Sequence, residues 1–338
     1  MQRVLWIRVR VAILAGVAIA VSSQLVGAGA SSTLSLEVVA DLPLPGGATR
    51  MDYISLDGAS HRAYLAHMGD GTVVAVSTSP PKVLGVAEGT PRVRGVLAVP
   101  ELGRVYAAAA GSGEVVVLDA ASLKVRGRIP AGNVDGLDFV PSVQRLFVTD
   151  QHGGNCVVID ARTSKVIKKI PVGGDVGNTR FDPATGRILV AVGSSNELVV
   201  IDPESLTVVG RYALPGVKGA HGIAVDPSTQ TAFVAGEQNA SVCAFSLSDH
   251  KVTAVATVGE DVDVLDVDPS THRLFVASES GVVSIFDVTG GGLKKLEEGF
   301  FASNAHVVGV DRVTHLLYFP LQDIGGRPVL RIVRYTGR

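Results

Sequence analysis

Seven residues, each closing a short apolar strand-like run, recur along the chain at a nearly constant interval. They are Asp57, Val99, Val140, Asp182, Asp226, Asp268 and Asp311, separated by 42, 41, 42, 44, 42 and 43 residues. No other feature of the 338-residue sequence restricts its fold as strongly, because a fixed period of this length means one supersecondary unit stacked repeatedly. Each unit reads alike. A short apolar strand ends in a turn of the Asp-Pro type, and a second strand follows, such as RLFVTD or RILVAV. A third, such as VVVLDA or LVVIDP, ends in another turn, and a fourth, such as KVIKKIPVGG, closes on Gly or Pro. Glycine is abundant, at 39 residues, as tight turns with positive φ require. No long segment carries a helical period.

Four short strands per repeat of about 42 residues is the pattern of a propeller blade. The sequence therefore predicts an all-β, seven-bladed β-propeller of four-stranded antiparallel blades. A leucine-rich solenoid needs a period about half as long, and a parallel β-helix lacks the hairpin turns. A closed ring also removes the open edges that a linear array would leave. The seventh unit supplies HVVGVD, LLYFPLQ and VLRIVRY but no fourth strand, whereas SLEVVADLPLPGG (residues 35–47) precedes the first unit. That N-terminal strand is expected to complete the last blade; the alternative is a loose N-terminal arm.

The chain opens MQRVLWIRVRVAILAGVAIAVSSQLVGAGASS. Arg3, Arg8 and Arg10 form a basic n-region, Val11 to Val21 an apolar core, and Ala28-Gly29-Ala30 an A-x-A site. Residues 1–30 thus read as a signal peptide cut after Ala30, leaving 31–338 as a single propeller domain in the periplasm or secreted. The alternative is an uncleaved anchor, since apolar residues run on through Leu25 and Val26. With cleavage, no stable membrane span remains. Val9 between Arg8 and Arg10 breaks a twin-arginine signal, and no cysteine near the cut suggests lipidation.

Removing three arginines and no acids takes the formal charge from −2 to −5. That balance lacks the basic footprint of a nucleic-acid binder. Cys156 and Cys243 lie in apolar strands two repeats apart and read as buried free thiols. Neither sits in CxxC or CxxCH, so dithiol redox chemistry and haem attachment are unsupported. There is no HExxH, GxSxG, Walker loop or dinucleotide fingerprint, so neither nucleotide nor flavin is expected. The single tryptophan, Trp6, lies in the leader, which argues against tryptophan-docked quinoprotein propellers and WD-repeat scaffolds.

VVVLDAASLKVRGRIPAG and LVVIDPESLTVVGRYALPG resemble the YVTN repeat, and residues 35–338 as a whole resemble a YncE-like periplasmic seven-bladed propeller. The resemblance implies the fold and the compartment. It implies no particular activity, because folds of this kind host many functions.

Topology locates a candidate site. In a four-stranded antiparallel blade the first and third turns share one face, here the lower one, and their aspartates read as turn formers. The second loop and the link to the next blade share the upper face. Five residues before each repeat anchor, at the upper mouth of the channel, stand Asp52, Arg94, Asp135, Gly177, His221, Asp263 and His306, with Asn178 beside Gly177. Ten residues after the first anchor, in the upper loop, stands His67. Six of the seven mouth positions are ionisable types amid Val, Ile and Leu. The expected ligand-binding set is Asp52, His67, Arg94, Asp135, Asn178, His221, Asp263 and His306. A divalent metal would use His67, His221 and His306 with a carboxylate, whereas Arg94 would repel a cation and suits a carboxylate or phosphate. The alternative is a polar lining that only holds water.

Three functions follow from this pattern. The leading one is a monomeric binding module that holds a small ligand or an extracytoplasmic protein partner on its upper face. The second, by analogy of fold, is a metal-assisted hydrolase or lactonase. The third is a single-stranded nucleic-acid binder, against which the acidic charge and few aromatics count.

Overall fold

A computed structural model describes residues 34–337. The expected leader, with its cut after Ala30, lies outside the described residues. The chain forms seven four-stranded antiparallel sheets, each numbered here as a blade. Blade 1 comprises Tyr53–Asp57, Arg62–His67, Thr72–Thr78 and Pro81–Ala87, ordered from the channel outward. The innermost strands of blades 2 to 6 are Val93–Val99, Val134–Val140, Val176–Asp182, Ala220–Asp226 and Val262–Asp268. In blades 1 to 6 each inner strand ends on its expected anchor.

Burial explains why the runs look as they do. The second and third strands of a blade are covered on both faces, as in Leu146, Phe147, Val148 and Val157, Val158, Ile159, all fully buried. Their sequences are therefore continuous apolar runs rather than alternating ones. Outer strands face solvent on one side, and Thr207–Ala213 alternates exposed and half-buried positions accordingly. The cores lie between blades: Tyr106, Val115 and Val117 of blade 2 pack against Leu137, Leu146 and Val157 of blade 3. Blade 1 meets blade 7 in the same way, with Ile54, Leu65 and Val74 against Tyr318, Leu330 and Ile332, so the ring is closed.

The lower turns use side-chain oxygens as expected. Asp226 accepts the Ser228 N–H at 2.9 Å, Asp268 that of Ser270 at 3.0 Å and Asp182 that of Ala184 at 3.0 Å. Among the described residues no helix is long and apolar enough to cross a membrane.

The seventh blade has an inner strand of only two residues, Gly309–Val310, followed by Leu316–Leu321 and Val329–Tyr335. The anchor Asp311 falls just past that strand. The reason is local: Asn304 sits at φ +55° in the segment that leads in, and the His306 ring is tied to the Asn304 carbonyl at 2.9 Å. Leu36–Pro43 supplies the fourth strand, pairing with Val329–Tyr335 from Leu36↔Tyr335 to Pro43↔Val329. Arg331 clamps Asp41 with Nε–Oδ1 at 2.8 Å and Nη2–Oδ2 at 2.7 Å, which holds the Asp41 carboxyl below its usual range.

Both cysteines are fully buried and unbonded. Burial pushes each thiol up to about 12, so neither forms the reactive thiolate at neutral pH. Thiol labelling in native buffer should leave both unmodified, and rapid stoichiometric modification of either would contradict the packing. A variant lacking residues 31–47 exposes the Val329–Tyr335 edge. It should aggregate or melt lower by about 10 °C or more; a melting temperature equal to that of the intact chain would mean that the strand does not close the ring.

Candidate functional site

The upper channel mouth is built by a recurrent local irregularity. In blades 2 to 6 the register of the innermost strand against its neighbour breaks near the polar position: between Val93 and Gly95, Val134 and Leu137, Val176 and Thr179, Ala220 and Ile223, and Val262 and Leu265. Such bulges re-aim side chains, and here the re-aimed residues are Arg94, Asp135, Asn178, His221 and Asp263. Glycines bring the inner strands close enough for these groups to meet. A Cβ on Gly222 would lie 2.1 Å from the Asp263 carbonyl oxygen, one on Gly177 2.6 Å from the His221 Cα, and one on Gly95 2.5 Å from the Asp135 carbonyl oxygen.

The result is a cavity of about 260 Å³ lined by Asp52, Arg94, Asp135, Asn178, His221 and Asp263 together with Arg50, Tyr53, Met68, Gln151, Glu237 and Glu279. His306 stands behind two of the carboxylates, with its Nε2 at 3.7 Å from Asp52 Oδ1 and 3.9 Å from Asp263 Oδ2. His221 Nε2 lies 3.8 Å from Asp135 Oδ2 and 3.9 Å from Asp263 Oδ1. Seven of the eight expected residues therefore converge from all seven blades, although the sequence places them as far apart as 52 and 306.

His67 is the exception and corrects the expected set. Its ring is fully buried away from the cavity, with Nε2 at 2.9 Å from Thr49 Oγ1 and 3.7 Å from Asp70 Oδ1. Burial lowers its pKa despite the nearby Asp70. Neighbouring residues at the end of a strand face opposite ways, so Met68 lines the cavity and His67 does not. A metal centre of His67, His221 and His306 is thus not the arrangement the fold makes.

Arg50 is the charged residue of the lining that the repeat register did not point to, and Tyr53 and Met68 were likewise outside the expected set. The Arg50 Nε is 2.7 Å from Asp52 Oδ1, its Nη2 3.5 Å from Asp263 Oδ2 and its Nη1 2.6 Å from Glu279 Oε1. Burial works against its charge, but Asp52 and Glu279 outweigh it and raise the pKa. A signal did exist: Arg50 lies two residues before Asp52, the spacing that keeps side chains on one side of an extended chain. Arg94, in the adjoining blade 2, donates to Gln151 Oε1 and, at 3.3 Å, to Asn133 Oδ1.

The electrostatics are unbalanced. Five carboxylates and two guanidiniums line the cavity. A unit pair about 4 Å apart gains about 4 kcal/mol at an effective dielectric of 20, and desolvation of each charge costs several kcal/mol. The two effects therefore compete closely. Burial pushes Asp263 up to about 6 against the pull of His306 and His221, and it also raises Asp135. Burial pulls both histidines down, but Asp135 and Asp263 around His221, and Asp52 and Asp263 around His306, leave each above its ordinary value.

The other end of the channel contrasts with this. It opens into a cavity of about 470 Å³ lined mainly by Leu, Val, Ile and Pro side chains. Its carboxylates are engaged by backbone donors: Asp138 accepts the N–H groups of Phe181 at 2.7 Å and Phe139 at 2.8 Å, and Asp266 those of Val310 and Val267, each at 2.9 Å. These carboxylates tie adjacent blades together. Tyr53 lines both cavities, and the Arg180 guanidinium lies over its ring, 5.4 Å from the centroid.

Neither a scan against protein-family models nor a search of curated proteins finds a match to this chain. The ring of seven blades is what the structure establishes; the likeness to the YVTN repeat is one of repeat sequence alone.

The glycine argument is testable. Gly222→Ala should cost about 1–3 kcal/mol by forcing the inner strands of blades 5 and 6 apart. Gly127→Ala, where an added Cβ meets nothing within 4 Å, should leave stability unchanged. Equal denaturation midpoints for the two variants would refute the close-approach account.

Proposed function

We propose that this protein is an extracytoplasmic binding module whose upper channel mouth holds a small, positively charged ligand. The observation that carries the reading is the make-up of the mouth: five carboxylates against two guanidiniums and the two histidines His221 and His306 around one cavity. A cation entering that space relieves the mutual repulsion of the carboxylates. The signal-like leader supports export from the cytoplasm, and the YVTN-like repeats support a periplasmic setting. An acidic mouth repels a phosphate backbone, so the charge favours a small ligand over a nucleic acid.

Calorimetric titration with the diamine putrescine and, separately, with inorganic phosphate tests the reading. Putrescine should bind in one-to-one stoichiometry, more weakly as salt is raised, and Asp263→Asn should weaken it by about tenfold. Phosphate should not bind. Phosphate binding that is abolished by Arg94→Gln, with no putrescine binding, would show that the mouth selects anions instead.

A further inference from the structure

His306 is 1 % exposed, and its Nδ1 lies 2.9 Å from the Asn304 carbonyl oxygen. A carbonyl only accepts, so Nδ1 carries a proton, and it is Nε2 that faces the carboxylates and presents a lone pair whenever the ring is neutral. Among the described residues that buried Nε2 has no hydrogen-bond partner. It faces Asp52 Oδ1 at 3.7 Å and Asp263 Oδ2 at 3.9 Å, each beyond hydrogen-bond distance. Its surroundings contain two acceptors rather than a donor, so a cation on Nε2, whether a proton or a metal ion, is what they favour.

We propose that His306 Nε2, Asp52 and Asp263 hold one divalent transition-metal ion at the channel mouth, with Arg50 as the cation the metal displaces. This deepens the reading of the mouth as a cation site and rests on it. The donor atoms of the three residues all lie within 4.8 Å of one another. Ligands bonded at about 2.0–2.2 Å to a common ion stand about 3–4 Å apart, so the observed separations already approach a coordination triangle. Two carboxylates match the charge of a divalent ion. The imidazole selects zinc, cobalt or nickel over magnesium and calcium, which take oxygen ligands. The Asn304 carbonyl on Nδ1 is the outer hydrogen bond that a metal-ligating histidine ordinarily makes. The Gln322 side chain in turn accepts from the Asn304 side-chain amide at 2.5 Å, fixing the turn that aims the ring.

Arg50 occupies the cation position from the solvent side. It bonds Asp52 and reaches toward Asp263, yet its strongest outer partner, Glu279, sits at the rim with 36 % of its side chain exposed. Rotation toward Glu279 frees both carboxylates without leaving the guanidinium unpaired. His221 stands 3.9 Å from the other oxygen of Asp263, close enough for its charge to act on that carboxylate. The open side of the ion then faces the cavity, where water or a small ligand completes its coordination.

The test is calorimetric titration of the EDTA-stripped, dialysed chain with zinc and with magnesium, together with the visible spectrum of the cobalt form. Expected are one zinc per chain, no magnesium binding, and a cobalt spectrum of a nitrogen–oxygen site. Asp52→Asn and His306→Gln should each weaken zinc by at least about tenfold, and Arg50→Gln should tighten it by about tenfold. Melting curves check that the variants fold, and if His306→Gln does not, Asp52→Asn and Arg50→Gln carry the test. Zinc binding that is unchanged in Asp52→Asn and Arg50→Gln would overturn the assignment in favour of surface pairs such as His152–Asp175, at 3.3 Å. Putrescine binding without zinc binding overturns the metal site while leaving the cation mouth standing, and binding of neither overturns both.

Discussion

The ladder between Leu36–Pro43 and Val329–Tyr335 is the constraint on which the rest of the ring depends. The other six blades are built from strands consecutive in sequence. This one joins partners such as Asp41 and Arg331, 290 residues apart. Closing a loop of that length costs on the order of 5 kcal/mol in chain entropy. Leu65, Tyr318, Leu330 and Ile332, almost completely buried between blades 1 and 7, each return about 1.5–3 kcal/mol. Their burial outweighs the closure cost, and every blade then has two covered faces.

Closure also creates the chemistry of the channel. Inner strands that touch through Gly95, Gly177 and Gly222 bring one side chain per blade to a common mouth. At the lower end, Asp138 and Asp266 turn inward to accept backbone N–H groups from the next blade, so their charge serves the fold. At the upper end Asp263 faces Arg50, His221 and His306 across gaps of 3.5 to 3.9 Å. The same residue type thus acts as a structural tie at one end and as a partner of charged side chains at the other. What differs is the supply of backbone donors, since the bulges at the upper end turn the side chains out of the ladder.

Much of this was legible in the sequence. Strand identity and blade boundaries followed from the alternation of apolar runs and turn residues, because burial on both faces leaves a continuous run and burial on one face an alternating run. Asp52, Asp135, His221, Asp263 and His306 could be placed at one mouth because the repeat register fixes where each inner strand begins. The short inner strand of blade 7 was not foreseen, since it depends on the Asn304 turn and on the ring that packs over it. His67 was misplaced because a repeat register gives a position along the blade but not the side to which a strand-terminal residue turns.

The sequence by itself determined the number of blades, their four-strand make-up and the strand that closes them. All are consequences of local periodicity and of the need to cover sheet edges. Only the tertiary structure decided that Arg50 reaches across to Asp263, that His306 presents an unpartnered buried nitrogen, and that His67 is sequestered with Thr49 and Asp70. Those outcomes are set by distances between residues from different blades. Such distances depend on how closely the inner strands approach, a property of the closed ring that no single repeat encodes.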